Sequence, residues 1–381
     1  MSKVYISHNN IFSSLGFTSE KVVENVQNEI SGLRLIEDDS LLPLPFYSSV
    51  INSDKLEENF QYLSGSEEFT RLEKMMISSL NEVIQTSKIP LNKRVGLLIS
   101  TTKGNIDALD ANNRFSEKRA YLSELGKQVQ DFFGFKNEAV MVSNACVSGI
   151  LTVAIAKRYI QVGLYDHVFI VSGDLISKFI LSGFNSFQAL SNTLCQPYDK
   201  NRKGINLGEA AASILVTKDK NKLSNNALAI LGESSCNDAN HISGPSRTGE
   251  GLYRSITAAM QQANLSADEI DFISAHGTAT LFNDEMEAIA FNRANLQKTP
   301  VHSLKGYFGH TLGASGLVET IVGMHSIKNN MLYKSLGFKE LGVSQSINVI
   351  EKTTKKELKT FIKTASGFGG CNTAVIFQKN I

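Results

Sequence analysis

The stretch from Val140 to Gly163 constrains the fold of this chain more than any other. It begins with the apolar, strand-forming residues VMV, continues through NACVSG at 144–149, and ends in a long apolar segment at 150–162 before Gly163. A segment rich in Ala, Ile and Val that is closed by a glycine is typical of a buried helix. The stretch therefore predicts a buried strand, a tight turn, and a buried helix with Cys146 at its first turn.

Cys146 is a candidate nucleophile because of that position. The unpaired amides and the positive end of a helix favour a thiolate, which is the nucleophilic form of cysteine. A free cysteine is also among the most buried residue types and behaves as a small hydrophobe. The turn alone leaves both interpretations open.

Composition limits the class of protein. A chain of 381 residues that is 42% hydrophobic has room for one large double domain or two smaller ones, each with a sizeable core. A net charge of +1 without a run of Lys and Arg gives no electrostatic basis for binding nucleic acid. No stretch of 18 apolar residues and no apolar signal core occurs, so we expect a cytoplasmic protein without membrane insertion. Its four cysteines are far apart, which predicts neither disulfides nor a metal site.

The order of apolar and amphipathic segments favours an α/β fold. The runs at 94–100 and 167–173 are apolar on both faces, which predicts a parallel core sheet. The polar segment at 217–226 divides the chain, giving an N-terminal half at 1–220 and a C-terminal half at 221–381. Each half repeats the pattern of strands, a central apolar helix and closing strands, although no residue-level repeat is present.

Two histidines share a local setting with Cys146. His276 and His310 each lie in a glycine-containing turn that follows a strand-like run and leads into a predicted helix. The remaining candidates, His167, His302 and His325, have no such turn and are interpreted as structural or surface residues. A thiol and two imidazoles at one sheet edge would supply the groups of a thiol acyl-transfer site.

Several segments together resemble a known family. They are NACVSG at 144–149, PYDKNRKGI at 197–205, LGEAA at 207–211, DANHI at 238–242, HGTAT at 276–280, KGYFGH at 305–310 with GASGLVE at 313–319, and GFGG at 367–370. In this order and spacing they are similar to the elongating, Cys-His-His type of β-ketoacyl-acyl-carrier-protein synthase, over about residues 4–378.

The resemblance implies a thiolase-like duplicated five-layered αβαβα fold, with the nucleophile in the first half and both histidines and a gating loop in the second. It implies an acyltransferase that condenses an acyl chain held on Cys146 with malonyl-acyl-carrier protein, releasing carbon dioxide and giving 3-oxoacyl-acyl-carrier protein. Such enzymes serve fatty acid or specialised polyene and polyketide synthesis. The implied partner is acyl carrier protein, whose phosphopantetheine carries the substrates, with no further cofactor and no metal. A homodimer, or a heterodimer with a related subunit, is expected.

The resemblance also implies roles for individual residues. His276 and His310 would act on the malonyl group, and the amides of Cys146 and Phe368 would form an oxyanion hole. Phe368, between Gly367 and Gly369, would be the gate of the acyl pocket. The other implied roles are phosphopantetheine binding by Thr278 and Thr280, and orientation of the histidines by Lys305 paired with Glu319.

Other interpretations stay open. Lys305 and Glu319 could form an exposed surface pair, and Phe368 could be a core aromatic. Cys371 stands in GGCN, where the family commonly has GGTN; a second cysteine suggests a thiolase, but thiolases lack the second histidine turn with its lysine. The chain could also be a non-condensing subunit resembling a chain-length factor, although such subunits generally lack the nucleophile.

Overall fold

The computed structural model describes residues 3–64, 68–238, 242 and 244–379. Its strands are β1 Tyr5–Ser13, β2 Arg34–Ile36, β3 Phe46–Ser49, β4 Val95–Ser100, β5 Val140–Val142, β6 His167–Asp174, β7 Leu207–Gly208, β8 Ala210–Thr217, β9 Leu228–Asn237, β10 Phe272–Ser274, β11 Pro300–His302, β12 Met331–Leu332, β13 Asn348–Val349, β14 Thr354–Lys355, β15 Thr360–Gly367 and β16 Cys371–Lys379. Its α-helices are α1 Ser19–Gln27, α2 Ser53–Phe60, α3 Arg71–Ser87, α4 Leu122–Phe133, α5 Ser148–Gln161, α6 Lys178–Ser186, α7 Glu250–Ala263, α8 Leu281–Arg293, α9 Lys305–Phe308 and α10 Ser315–Asn329. Part of the DANHI segment, at 239–241, lies outside the described residues.

One large sheet runs through the molecule in the order β13-β11-β10-β15-β16-β9-β1-β8-β6-β4-β5. Its two halves meet where β1 pairs with β9 over only two residue pairs. Strand β4 is parallel to β5 and β6, whereas β8 is antiparallel to both β6 and β1. The parallel core predicted from the runs at 94–100 and 167–173 is present as β5, β4 and β6, but the sheet as a whole is mixed. In the second half, β15 and β16 are joined by the tight turn at 367–371, and a hairpin of that kind permits only antiparallel pairing.

Helices α5 and α10 lie at the centre of the molecule. Their buried residues belong to one apolar cluster that includes strands of both sheet halves, such as Ile170 of β6 and Phe361 of β15. Helices α3 and α4 cover the opposite face of the first half, and α7 and α8 cover the opposite face of the second half. The predicted five-layered αβαβα arrangement is confirmed.

The predicted boundary at residue 220 falls in the 3-10 turn Lys220–Lys222, between β8 and β9. Each half has its own strands and a central helix, but the division into two domains stays a prediction. No helix among the described residues is long and apolar enough to cross a membrane.

Two sequence-based boundaries differ from the structure. The sequence SEE at 66–68, followed by apolar residues spaced by three and four, predicts a helix that begins near Ser66, which lies outside the described residues. Helix α3 begins at Arg71, where Thr70 and Glu73 form a reciprocal capping box. Strand β5 was expected to be fully buried, but only Val142 is buried. Because β5 is an edge strand of the sheet, its first two residues have a strand on one side only.

Candidate active site

Cys146 lies in a tight turn between β5 and α5. Ala145 takes the left-handed conformation with φ of 44°, and the helix begins at Ser148. The Ser148 hydroxyl accepts a hydrogen bond from the Asn144 amide at 2.8 Å and donates to the Ala145 carbonyl at 2.6 Å. Cys146 therefore precedes the helix by two residues instead of standing in its first turn, and the turn holds its side chain at 7% exposure.

His276 lies in the turn that follows β10. Its backbone amide donates to Glu287 Oε1 at 2.8 Å, and the amide of Gly277, which has φ of 39°, donates to Glu287 Oε2 at 2.6 Å. Asp284, one helical turn earlier on α8, accepts from the Thr278 amide at 2.9 Å. Two buried carboxylates of one helix thus fix the backbone on which this histidine stands.

His310 lies between α9 and α10, directly after Gly309, which has φ of 65°. Its amide donates to the Asn206 carbonyl at 2.7 Å, and its Nδ1 lies 2.9 Å from the Ser315 hydroxyl. When Nδ1 accepts from Ser315, the ring proton is on Nε2. Nε2 is buried without a hydrogen-bond partner among the described residues, so this edge of the ring is open to a substrate.

The structure brings the three side chains together. The Cys146 sulfur and one nitrogen from each of His276 and His310 all lie within 4.8 Å of one another. The two imidazole rings are perpendicular, with centroids 5.1 Å apart. These atom types could also ligate a soft divalent ion, so the expectation of metal-free chemistry stays a prediction.

Burial controls the ionisation of all three groups. Burial, followed by the nearby Lys305 charge, holds the pKa of His276 and of His310 well below the ordinary value, so both rings are neutral. Burial also raises the pKa of the Cys146 thiol to about 12, and Cys371 acts in the same direction. The expectation that the helix end favours the thiolate stays a prediction. Desolvation leaves the resting thiol protonated, so its proton must leave during the reaction.

Lys305 and Glu319 form a buried ion pair beneath the histidines. Lys305 is 0% exposed, and its Nζ lies 2.8 Å from Glu319 Oε1. The same Nζ donates to the His276 carbonyl at 2.5 Å. The alternative of an exposed surface pair is wrong, and Lys305 connects the carboxylate on α10 directly to the His276 turn.

Lys363 on β15 also belongs to this cluster, although it was not among the residues predicted from the sequence. Its Nζ lies 2.6 Å from Glu319 Oε2 and donates to the carbonyls of Ser274, Ala275 and Thr364. Burial by itself would raise the pKa of Glu319, but the two ammonium groups hold it below its ordinary value. The position of Lys363 directly after the apolar pair Phe361-Ile362 in a strand-like segment was the available signal, because a charge in a buried strand needs a buried partner.

A cavity of about 390 Å³ leads from the surface to the Cys146 sulfur. Thr278 and Thr280 line it, with their hydroxyl oxygens 2.8 Å apart, and the exposed Leu281 and Phe282 stand at its mouth. The cavity is therefore polar on the approach to the histidines and apolar at its entrance.

The GFGG turn closes the cavity beside Cys146. The Phe368 ring is 36% exposed and packs against Phe184 and Phe187, with centroids 5.6 and 5.4 Å away. A Cβ added to Gly367 would lie 3.1 Å from the Cys146 amide nitrogen, so the two turns touch. The Cys371 thiol is 3.3 Å from the Phe368 carbonyl and 3.8 Å from that of Asn144, and it joins the same two turns. Phe368 thus lines the site instead of filling the core.

Models of two protein families match most of this chain. The N-terminal domain of β-ketoacyl synthases matches residues 44–222, and the C-terminal domain matches residues 228–339. The chain belongs to the β-ketoacyl synthase family. Membership confirms the predicted family and the acyltransferase class.

Relatives and solved structures agree with this membership. The 3-oxoacyl-[acyl-carrier-protein] synthase 1 of Buchnera aphidicola subsp. Schizaphis graminum is 25% identical over 414 residues, covering 100% of both proteins. A putative mitochondrial 3-oxoacyl-[acyl-carrier-protein] synthase of Schizosaccharomyces pombe is 28% identical over 65% of this chain and 63% of that protein.

The fold itself is shared with solved ketosynthases. The ketosynthase ApeO of Xenorhabdus doucetiae, solved with its chain length factor ApeC, superposes with a TM-score of 0.88 at 23% identity over 100% of this chain and 98% of the other. The ishigamide ketosynthase/chain length factor superposes with a TM-score of 0.90 at 21% identity over 100% of both. The thiolase-like fold is confirmed.

Proposed function

We propose that this β-ketoacyl synthase catalyses decarboxylative condensation of an acyl chain held on Cys146 with malonyl-acyl-carrier protein. The observation that supports this most directly is the approach of one thiol and two neutral imidazoles to within 4.8 Å of one another at the end of a cavity that opens to the surface. The thiol can carry the acyl chain, while the neutral imidazoles can donate hydrogen bonds to a developing enolate without holding a charge of their own.

The first half-reaction transfers the acyl chain to Cys146. The Cys146 sulfur attacks the thioester carbonyl, the carrier sulfur leaves, and the leaving sulfur takes up the thiol proton. The amides of Cys146 and Phe368, in turns that touch, would donate to the oxyanion. Each such donor contributes about 3 to 4 kcal/mol of transition-state stabilisation. The Phe368 side chain would have to move before the acyl chain enters, because its ring packs over the cavity.

The second half-reaction forms the carbon-carbon bond. Malonyl-acyl-carrier protein loses carbon dioxide, and the electron pair of the broken bond becomes an enolate whose oxygen accepts hydrogen bonds from His276 and His310. The enolate carbon attacks the acyl carbonyl, the Cys146 sulfur leaves, and it takes up one proton. Low local polarity strengthens the hydrogen bonds to the enolate, because both rings are buried.

The carrier protein would deliver both substrates through the cavity. Thr278 and Thr280 line the approach and offer hydroxyl groups to the phosphopantetheine arm. A solved relative of the same fold is a type II polyketide ketosynthase complexed with its acyl-carrier protein. A metal-free mechanism, a cytoplasmic location, and a homodimer or a heterodimer with a related subunit belong to the same proposal.

The alternative is a non-condensing subunit resembling a chain-length factor. Solved relatives of this fold include ketosynthase complexes with such factors. The buried Cys146 with both histidines favours the condensing role, since a subunit without chemistry has no need to maintain a buried thiol beside two imidazoles.

A reconstituted assay tests the proposal. The protein is incubated with malonyl-acyl-carrier protein and a panel of acyl-carrier proteins of different chain lengths, and the carrier-bound products are identified by mass spectrometry. We expect a 3-oxoacyl product two carbons longer than the starting chain. Cys146→Ala, which keeps the fold and removes the acceptor, should give no condensation. The absence of product across the whole panel, both alone and with a related subunit, would contradict the proposal.

A further inference from the structure

Lys363 is a fully buried lysine with a dense set of polar contacts. It is 0% exposed, and its Nζ contacts one carboxylate oxygen and three backbone carbonyls. Lysine is almost never fully buried unless it is paired. The contacts satisfy the hydrogen bonds of the ammonium group, but an apolar side chain in a buried strand would avoid the free energy of desolvating a charge. The position therefore calls for a reason beyond packing.

The buried cluster carries an excess positive charge. Lys305 and Lys363 share the single carboxylate of Glu319, one on each oxygen, at 2.8 and 2.6 Å. One lysine would already neutralise that carboxylate. Within this group of three side chains, the second ammonium therefore leaves one positive charge beyond what Glu319 neutralises, in a region where water does not screen it; the next acidic group, Glu287, is bound to the amides of the His276 turn.

The two lysines hold consecutive backbone groups of one segment. Lys363 donates to the carbonyls of Ser274 and Ala275, and Lys305 donates to the carbonyl of His276. These three residues end β10 and begin the turn that carries the first histidine. The ammonium groups thus fix the segment from one side, while Glu287 fixes the amides of the turn from the other.

We propose that Lys363 is a positioning residue for the carbon-carbon bond-forming half-reaction. It holds the Ser274–Ala275 backbone and, through Glu319, the Lys305 ammonium that holds His276, and its charge favours an anion between the imidazoles. This inference rests on the proposed function, because it assigns Lys363 to the enolate-forming step. Cys146 and its turn lie outside the contacts of Lys363, so transfer of the acyl chain to Cys146 does not depend on it.

Lys363→Met tests the inference, because it keeps the length of the side chain and removes the charge and the hydrogen bonds. We expect kcat for carbon dioxide release and for condensation to fall about tenfold to a hundredfold. The KM for malonyl-acyl-carrier protein should change by less than about threefold, since Lys363 does not face the cavity. Acylation of Cys146, measured by intact-protein mass after mixing with acyl-carrier protein, should keep the wild-type rate. Lys363→Arg, which retains the charge, should recover part of the lost kcat.

Lys157→Met and Lys74→Met are matched controls. Both lysines are buried, but Lys157 contacts the Leu231 carbonyl and Lys74 pairs with Glu57, away from the histidines. Neither control substitution should change the rate of decarboxylation relative to the rate of acylation. Wild-type kcat in Lys363→Met, or a parallel loss of acylation and decarboxylation in both Lys363 variants, would overturn the inference. A failure of the proposed function would look different, because the wild-type protein itself would then release no carbon dioxide.

Discussion

Replacing Gly149 with alanine should disturb the active site, because the added methyl group forces two packed helices apart. Gly149 lies in the first turn of α5, and an added Cβ would stand 2.7 Å from the Gly313 carbonyl oxygen and 2.9 Å from the Leu317 nitrogen. Both are backbone atoms of the segment that follows His310, so no side-chain rotation relieves the contact. In the other direction, a Cβ added to Gly316 would lie 2.6 Å from the Ile150 nitrogen of α5. The backbones of the cysteine and histidine segments therefore meet at this pair of glycines.

The size of the effect follows from these distances. Ordinary van der Waals contact begins at 3.4 Å, so Gly149→Ala must move the helices apart by about 0.7 Å. Overpacking of this kind costs about 1 to 3 kcal/mol of unfolding free energy. A displacement near 1 Å between reacting groups can reduce the rate about a hundredfold, so we expect condensation to fall about tenfold to a hundredfold.

Urea unfolding and the condensation assay measure the two effects on the same preparation. Gly183→Ala is the matched control, because Gly183 lies within α6 and an added Cβ there meets no atom within 4 Å. That change should be neutral or stabilise the protein by up to about 1 kcal/mol. Gly149→Ala with wild-type stability and wild-type condensation would refute the reasoning.

Three further predictions concern the ionisable groups. His310→Ala should lower malonyl decarboxylation about a hundredfold or more while Cys146 still accepts an acyl chain, as measured by carbon dioxide release and intact mass; loss of acylation would contradict this division of roles. Because the pKa of Cys146 is near 12, its alkylation by iodoacetamide should rise about tenfold per pH unit between pH 7 and 10, and a plateau below pH 8 in peptide mass spectrometry would argue against it. Burial raises the pKa of Glu287 from 4.5 to about 7, so its contribution to stability is complete below about pH 4.5 and is lost as the pH rises through about 7. The unfolding free energy, measured below about pH 4.5 and above about pH 7, should decline less between these two conditions in Glu287→Gln than in the wild type.

Segments with a strong local pattern were predictable. The strands at 95–100 and 167–174 and the buried helix α10 follow from apolar runs and glycine punctuation alone. The direction of strand pairing was not predictable, because apolar runs of the same length are found in β6 and in its antiparallel neighbour β8. The start of α3 at Arg71 was not predicted either, because it depends on the capping box that Thr70 and Glu73 form.

The sequence by itself singled out Cys146, His276 and His310 as candidate catalytic residues. His276 and His310 adjoin Gly277 and Gly309, whose left-handed conformations few other residues adopt, and such local requirements are visible in the sequence. Only the tertiary structure decided how these groups ionise and what holds them. The raised pKa of Cys146 comes from burial under segments distant in the chain, and Lys363 meets Glu319 across two different elements. Desolvation and long-range ion pairs depend on what surrounds a residue in space, which its neighbours along the chain do not specify.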